Sequence, residues 1–133
     1  MKAVDTNILV RFLTQDDPVQ FAATLSLFAA EPIWIAKTVL LETHWVLRSV
    51  HALGEDSIRT AFSSLLGLDN VQVEDEPAVV AALSLTSRGI GFGDALHLHS
   101  RPPETALVSF DRTFVRRAQS AGVARVHELG CTP

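Results

Sequence analysis

Four acidic side chains, Asp5, Glu42, Asp94 and Asp111, stand where carboxylates can act as cation ligands rather than as solvated surface. Asp5 follows Lys2-Ala3-Val4, which is β-compatible and apolar enough for a buried strand, and precedes Ile8-Leu9-Val10-Arg11-Phe12-Leu13, which reads as a helical turn or two. A strand that ends in Asp and turns at once into a helix puts that carboxylate at the carboxyl edge of a sheet, where open α/β sheets bind ligands. Asp111, in Ser109-Phe110-Asp111-Arg112, repeats the arrangement late in the chain. The plain alternative for both is helix capping, which for Asp contributes about 1 kcal/mol. Taken singly, capping is the better reading of either.

Glu42 differs. In a helix it shares a face with Val39, Trp45 and Val46, and a carboxylate on an apolar face is costly unless paired, protonated or bound to metal. The nearest cations, Lys37 and Arg48, are not helical neighbours, so ligation is preferred over an ion pair. Asp94 opens a helix after Gly89-Ile90-Gly91-Phe92-Gly93 and either caps it or is a ligand favoured by the helix N-terminus. That glycine run lacks a preceding strand and the dinucleotide spacing, so it reads as a flexible turn. Zinc is disfavoured: His97 and His99 point to opposite sides of a helix, and neither H-E-x-x-H nor C-x-x-C occurs.

The elements that must position these acids alternate. Helices are expected over 18–30, 37–51, 57–66, 76–88, 94–100 and 112–121, with short strands at 2–4, 33–35, 71–73 and 106–109 and an edge strand over 123–127. This order implies an α/β fold with a central parallel sheet of four to five short strands flanked by helices, joined by right-handed crossovers. The 133 residues fit one domain, expected over 1–133, able to bury roughly 68% of its unfolded surface. With 47% hydrophobic and 20% charged residues the chain is globular rather than disordered. A net charge of -4 is unlike a typical nucleic-acid binder, unless a bound cation reverses the local field. The single cysteine, Cys131, reads as a tail residue in a reducing compartment. No signal peptide or membrane span is visible, so a soluble, cytoplasmic protein is expected.

Val4-Asp5-Thr6-Asn7, Leu41-Glu42-Thr43, Phe92-Gly93-Asp94-Ala95-Leu96 and Val108-Ser109-Phe110-Asp111-Arg112 together resemble the four acidic motifs of PIN-domain nucleases, most of all the VapC-like toxins of toxin–antitoxin pairs. The resemblance implies a single PIN-like domain that cuts RNA with Mg²⁺ or Mn²⁺, leaving a 5′-phosphate and a 3′-hydroxyl. It also implies inhibition by a VapB-like antitoxin, whose helix would send a basic residue into the acidic pocket, and a homodimer or a hetero-oligomer with that antitoxin. Carried over residue by residue, the ligands would be Asp5, Glu42, Asp94 and Asp111, with Asn7 and Ser109 as supporting polar groups. Ser109 stands where the family more often has Thr, which keeps the hydroxyl.

Four acids at ~4 Å would repel by roughly 4 kcal/mol a pair, which a hard divalent ion relieves. Arg11, Arg112 and Arg116 are candidates to grip RNA phosphates, giving salt-sensitive binding. The segment 8–28 carries Leu9, Phe12, Leu13, Phe21, Leu25 and Phe28, which either form the core or exceed its needs and meet a partner. The rival function is a catalytically silent interaction module on the same scaffold. A receiver module or an Asp-x-Asp phosphatase is disfavoured, because Asp5-Thr6-Asn7 lacks the second acid and no Lys follows Lys37.

Overall fold

Alternation sets the strands. Ile33 and Ile35 are fully buried with Trp34 half-buried between them, and Val71 and Val73 are buried around exposed Gln72. These become β2 (Ile33–Ile35) and β3 (Val71–Val73). With β1 (Lys2–Ala3) they form a parallel three-stranded ladder in the order β1-β2-β3, pairing Lys2 with Ile33 and Ile33 with Val71. The expectation of a buried first strand needs correcting. Lys2 and Ala3 are exposed at the end of this ladder, and only Val4 behind them is buried.

The computed structural model describes residues 1–130; Cys131 lies outside them. Seven helices occupy the described residues: α1 (Thr6–Thr14), α2 (Pro18–Ala30), α3 (Lys37–Ser49), α4 (Glu55–Leu66), α5 (Glu76–Thr86), α6 (Phe92–Ser100) and α7 (Arg112–Ser120). The last strands, β4 (Leu107–Ser109) and β5 (Val126–Glu128), pair in parallel with each other, so the mixed α/β class and parallel pairing hold while the five strands hydrogen-bond as a three and a two. No helix among the described residues is long and apolar enough to cross a membrane.

The chain divides into two compact units, Met1–Glu76 and the remainder from Pro77. In the first, α1 packs on α2 and α3, and the rings of Phe12 and Phe28 stack at 4.1 Å. Leu9, Leu40, Leu47, Ile58, Phe62 and Leu65 fill its interior. In the second, Phe114, Val115 and Ala118 are the buried stripe of α7, leaving Arg116 and Arg117 outside. Gly89 takes φ +81, a left-handed conformation that only glycine adopts freely, and its carbonyl accepts a hydrogen bond from Arg117 Nη1 at 2.7 Å.

Candidate metal centre

Asp5 is the N-cap of α1. Its backbone is extended, and its Oδ1 accepts a hydrogen bond from Ile8 N at 3.1 Å. Capping is therefore real here, but it occupies one carboxylate oxygen only; Oδ2 has no partner among the described residues. The next residue, Thr6, donates its hydroxyl to Glu42 Oε1. That bond ties the start of α1 to the middle of α3. Asp5, Thr6, Asn7, Val39, Glu42, Trp45 and Val46 line a single cleft of about 430 Å³. Asp5 and Asn7 also border a second cleft of about 260 Å³ towards α2, with Arg11 and Gln20 on its wall.

Glu42 lies in the cleft but, contrary to the sequence expectation, not on a buried apolar face. Its helix turns a different face to the core, made of Leu40, Thr43 and Leu47, and Glu42 is exposed. Val39 and Val46 are half-buried and Trp45 stands largely in solvent. The carboxylate thus carries no burial penalty. Neither nearby cation serves it: Arg48 lies 3.7 Å from Glu55, and Lys37 pairs with Asp75 at 3.2 Å. Thr43, beside Glu42, is buried with its hydroxyl unpartnered among the described residues.

In the second unit Asp111 caps α7, its Oδ1 accepting from Phe114 N at 3.0 Å. Ser109, at the end of β4, accepts from Asp111 N at 3.0 Å, so strand, serine and aspartate are fixed as one turn. Asp94 does not open its helix. Phe92 and Gly93 are already helical and Gly91 is the N-cap, which places Asp94 in the first turn, exposed and without a hydrogen bond or ion pair among the described residues. The capping alternative is thereby removed for Asp94, while the favourable field of the helix N-terminus remains. The end of α6 is held by Arg101, which donates to the carbonyls of Leu98, Thr105, Ala124 and Arg125 at 2.7–2.9 Å. Its planar fork of five N–H donors suits such a staple, and no motif announced it.

The basic candidates fare unequally. Arg11 gives its Nε to Gln20 at 2.6 Å and pairs with Asp16 at 3.0 Å. Arg112 pairs with Glu128 at 2.6 Å. Arg116 is exposed with no partner among the described residues. The histidines are structural or peripheral: His44 Nε2 sits 2.8 Å from Glu55 Oε1, His97 is exposed and His99 half-buried.

Two residues of the cleft escaped the sequence reading. Thr6 adjoins Asp5, but nothing local reveals a bond to a side chain 36 positions away. The signal for Trp45 is its spacing, an aromatic one helical turn from Glu42 on the same helix face.

The donor set of this cleft is all oxygen, with one oxygen of Asp5 and of Glu42 held by the chain itself. Such donors fit Mg²⁺ or Mn²⁺ rather than zinc, and Mg²⁺ commonly takes one or two carboxylates plus waters and substrate phosphate. Among the described residues no three His, Cys, Asp or Glu side chains gather as a metal-holding group.

Parallel strands that pass into acid-capped helices, with a second carboxylate on the cleft beside Asp5, define a mixed α/β domain. The family model of the PIN domain matches residues 2–119, and the chain belongs to that family. PIN domains are generally nucleases, and PIN nucleases generally use divalent metals. No curated protein matches the chain.

Proposed function

We propose that this protein is a divalent-metal-dependent endoribonuclease, the VapC-like toxin of a toxin–antitoxin pair, acting in the cytoplasm and silenced by a VapB-like antitoxin. The observation that carries the nuclease reading is the cleft in which Asp5 and Glu42 each keep one carboxylate oxygen pinned and the other available. Asp5 and Asp94 would be the principal ligands of Mg²⁺ or Mn²⁺. Glu42 would ligate the ion or orient a water, its direction set by Thr6. Asp111, with Ser109 and Asn7, would hold a second ion or an outer water. When bound, the ion supplies Lewis-acid neutralisation of charge on the scissile phosphate. Of the three basic candidates Arg116 is the one left to meet an RNA phosphate, because Arg11 and Arg112 already carry acidic partners. For the antitoxin, α2 offers an apolar surface: Val19 and Leu25 are exposed, whereas Leu9 and Phe28 belong to the core. A homodimer, or a hetero-oligomer with the antitoxin, is part of the same proposal.

Titrating Mg²⁺ and Mn²⁺ while following thermal stability and cleavage of a generic RNA tests this. Stabilisation together with cleavage, both reversed by chelator and yielding 5′-phosphate ends, is the expected result. Neither effect would leave a catalytically silent scaffold instead.

A further inference from the structure

Trp45 leaves 63% of its surface in solvent, on a helix whose other large apolar residues find at least partial cover. A tryptophan so placed forgoes much of the 150–250 Å² such a side chain usually buries. It is also on the wall of the cleft that holds Asp5 and Glu42, flanked by half-buried Val39 and Val46. We propose that the indole of Trp45 is a stacking platform for one unpaired nucleobase of the RNA strand, next to the phosphodiester held at the acidic pair. This inference rests on the nuclease reading and adds to it a residue that selects single-stranded substrate.

Three observations choose this occupant. The apolar patch is small: exposed neighbours on α3 within about a turn, Glu42, Arg48 and Ser49, are polar. A stable protein interface needs on the order of 800 Å² per partner, which one indole and two half-covered valines do not approach. The cleft, about 430 Å³, is instead of small-ligand size. Finally, its polar lining is Asp5, Thr6, Asn7 and Glu42, which repels an acidic peptide but accepts a nucleotide whose phosphate arrives with a divalent cation. Every base presents a π-face, so stacking tolerates sequence; bases stacked inside a duplex cannot reach the platform.

The test uses the full chain. Trp45→Ala should raise KM for a single-stranded oligoribonucleotide about tenfold with kcat barely changed, and Trp45→Phe should restore most of the loss. In the inactive Asp5→Asn background, the same oligonucleotide should quench tryptophan emission. An abasic oligonucleotide should not, and Trp34 is accounted for by subtracting the Trp45→Phe spectrum. Because Trp45 is exposed, melting temperatures should not move. Wild-type cleavage with unchanged KM in Trp45→Ala, and no quench, overturns the platform while the nuclease reading stands. A quench without wild-type cleavage supports the platform and overturns the nuclease reading. A Trp45→Ala variant that loses only self-association, or only binding of a basic peptide, overturns the platform and gives this face to a protein.

Discussion

The two units treat their acids in parallel yet unequal ways. In each, one aspartate follows a strand and caps the next helix: Asp5 on α1, Asp111 on α7. Each also carries a second acid inside a helix, Glu42 on α3 and Asp94 on α6. The hydroxyl beside each cap, however, is spent differently. In the first unit Thr6 reaches across to the second acid, whereas in the second Ser109 turns back onto the backbone of the first. Glu42 is consequently directed, and Asp94 is held only by its helix and by the Arg101 staple at that helix's far end. The same chain thus shows a carboxylate fixed by its neighbours and one left to be fixed by whatever it binds.

The sharpest probe separates the cap from the charge. Asn is about as good an N-cap as Asp, so Asp5→Asn should keep α1 intact and lose the negative ligand. Cleavage should fall by more than about a hundredfold, since even outer partners of a metal ligand are worth roughly 10–100-fold. Asp5→Ala should lose cleavage and also about 1 kcal/mol, roughly 4 °C in melting temperature for a domain of this size. Single-turnover cleavage with Mg²⁺ and thermal unfolding measure both. Equal melting losses in the two variants would mean that the Ile8 amide is not bonded as described.

A smaller effect is expected from the hydroxyls, and it should be asymmetric. Thr6→Val keeps the shape and removes the donor to Glu42, so kcat should drop by about tenfold, while Ser109→Ala should cost less than about threefold. Comparable losses from both would erase the contrast between a directed and an undirected acid. Rescue of the first by Thr6→Ser would confirm that the hydroxyl, not the methyl, is responsible.

Much of this was legible in the sequence where local chemistry decides the structure. The strand–Asp–helix pattern gave both caps, a β-branched and aromatic run gave β2, and alternation gave β3, both strands to the residue. Legibility failed where competing periodicities overlap. Around Glu42 the helix is apolar on more than one side, and the face of Leu40, Thr43 and Leu47 won the core over that of Val39, Trp45 and Val46. It failed again at 89–93, where glycines suggested a link although Phe92 is fully buried and already begins α6. The helix expected over 57–66 starts earlier, at Glu55, with Gly54 as its N-cap. Long-range bonds, such as Thr6 to Glu42 and Arg101 to the carbonyls of Ala124 and Arg125, leave no local trace at all.

The least of the expected effects extends the contrast to histidine. His44, in the first unit, faces the Glu55 carboxylate at 2.8 Å, whereas His99, in the second, is half-buried near Arg101. Burial, and then the Arg101 charge, hold the His99 imidazole below its ordinary 6.5. Below that value the unfolded chain takes up a proton more readily than the folded one, so stability should decline as pH falls from 6.5 and level off once His99 is protonated in both states. Above 6.5 the group contributes nothing to the slope. Asp16, held below its ordinary 3.8 chiefly by the Thr14 hydroxyl, loses its contribution only as pH falls from 3.8, below the pH at which the His99 slope begins. Denaturant midpoints across about pH 5–7 should therefore slope in the native chain and flatten in His99→Gln, which keeps a polar side chain there without a proton to gain. An unchanged slope in that variant would move the acid sensitivity to another group and leave His99 as packing alone.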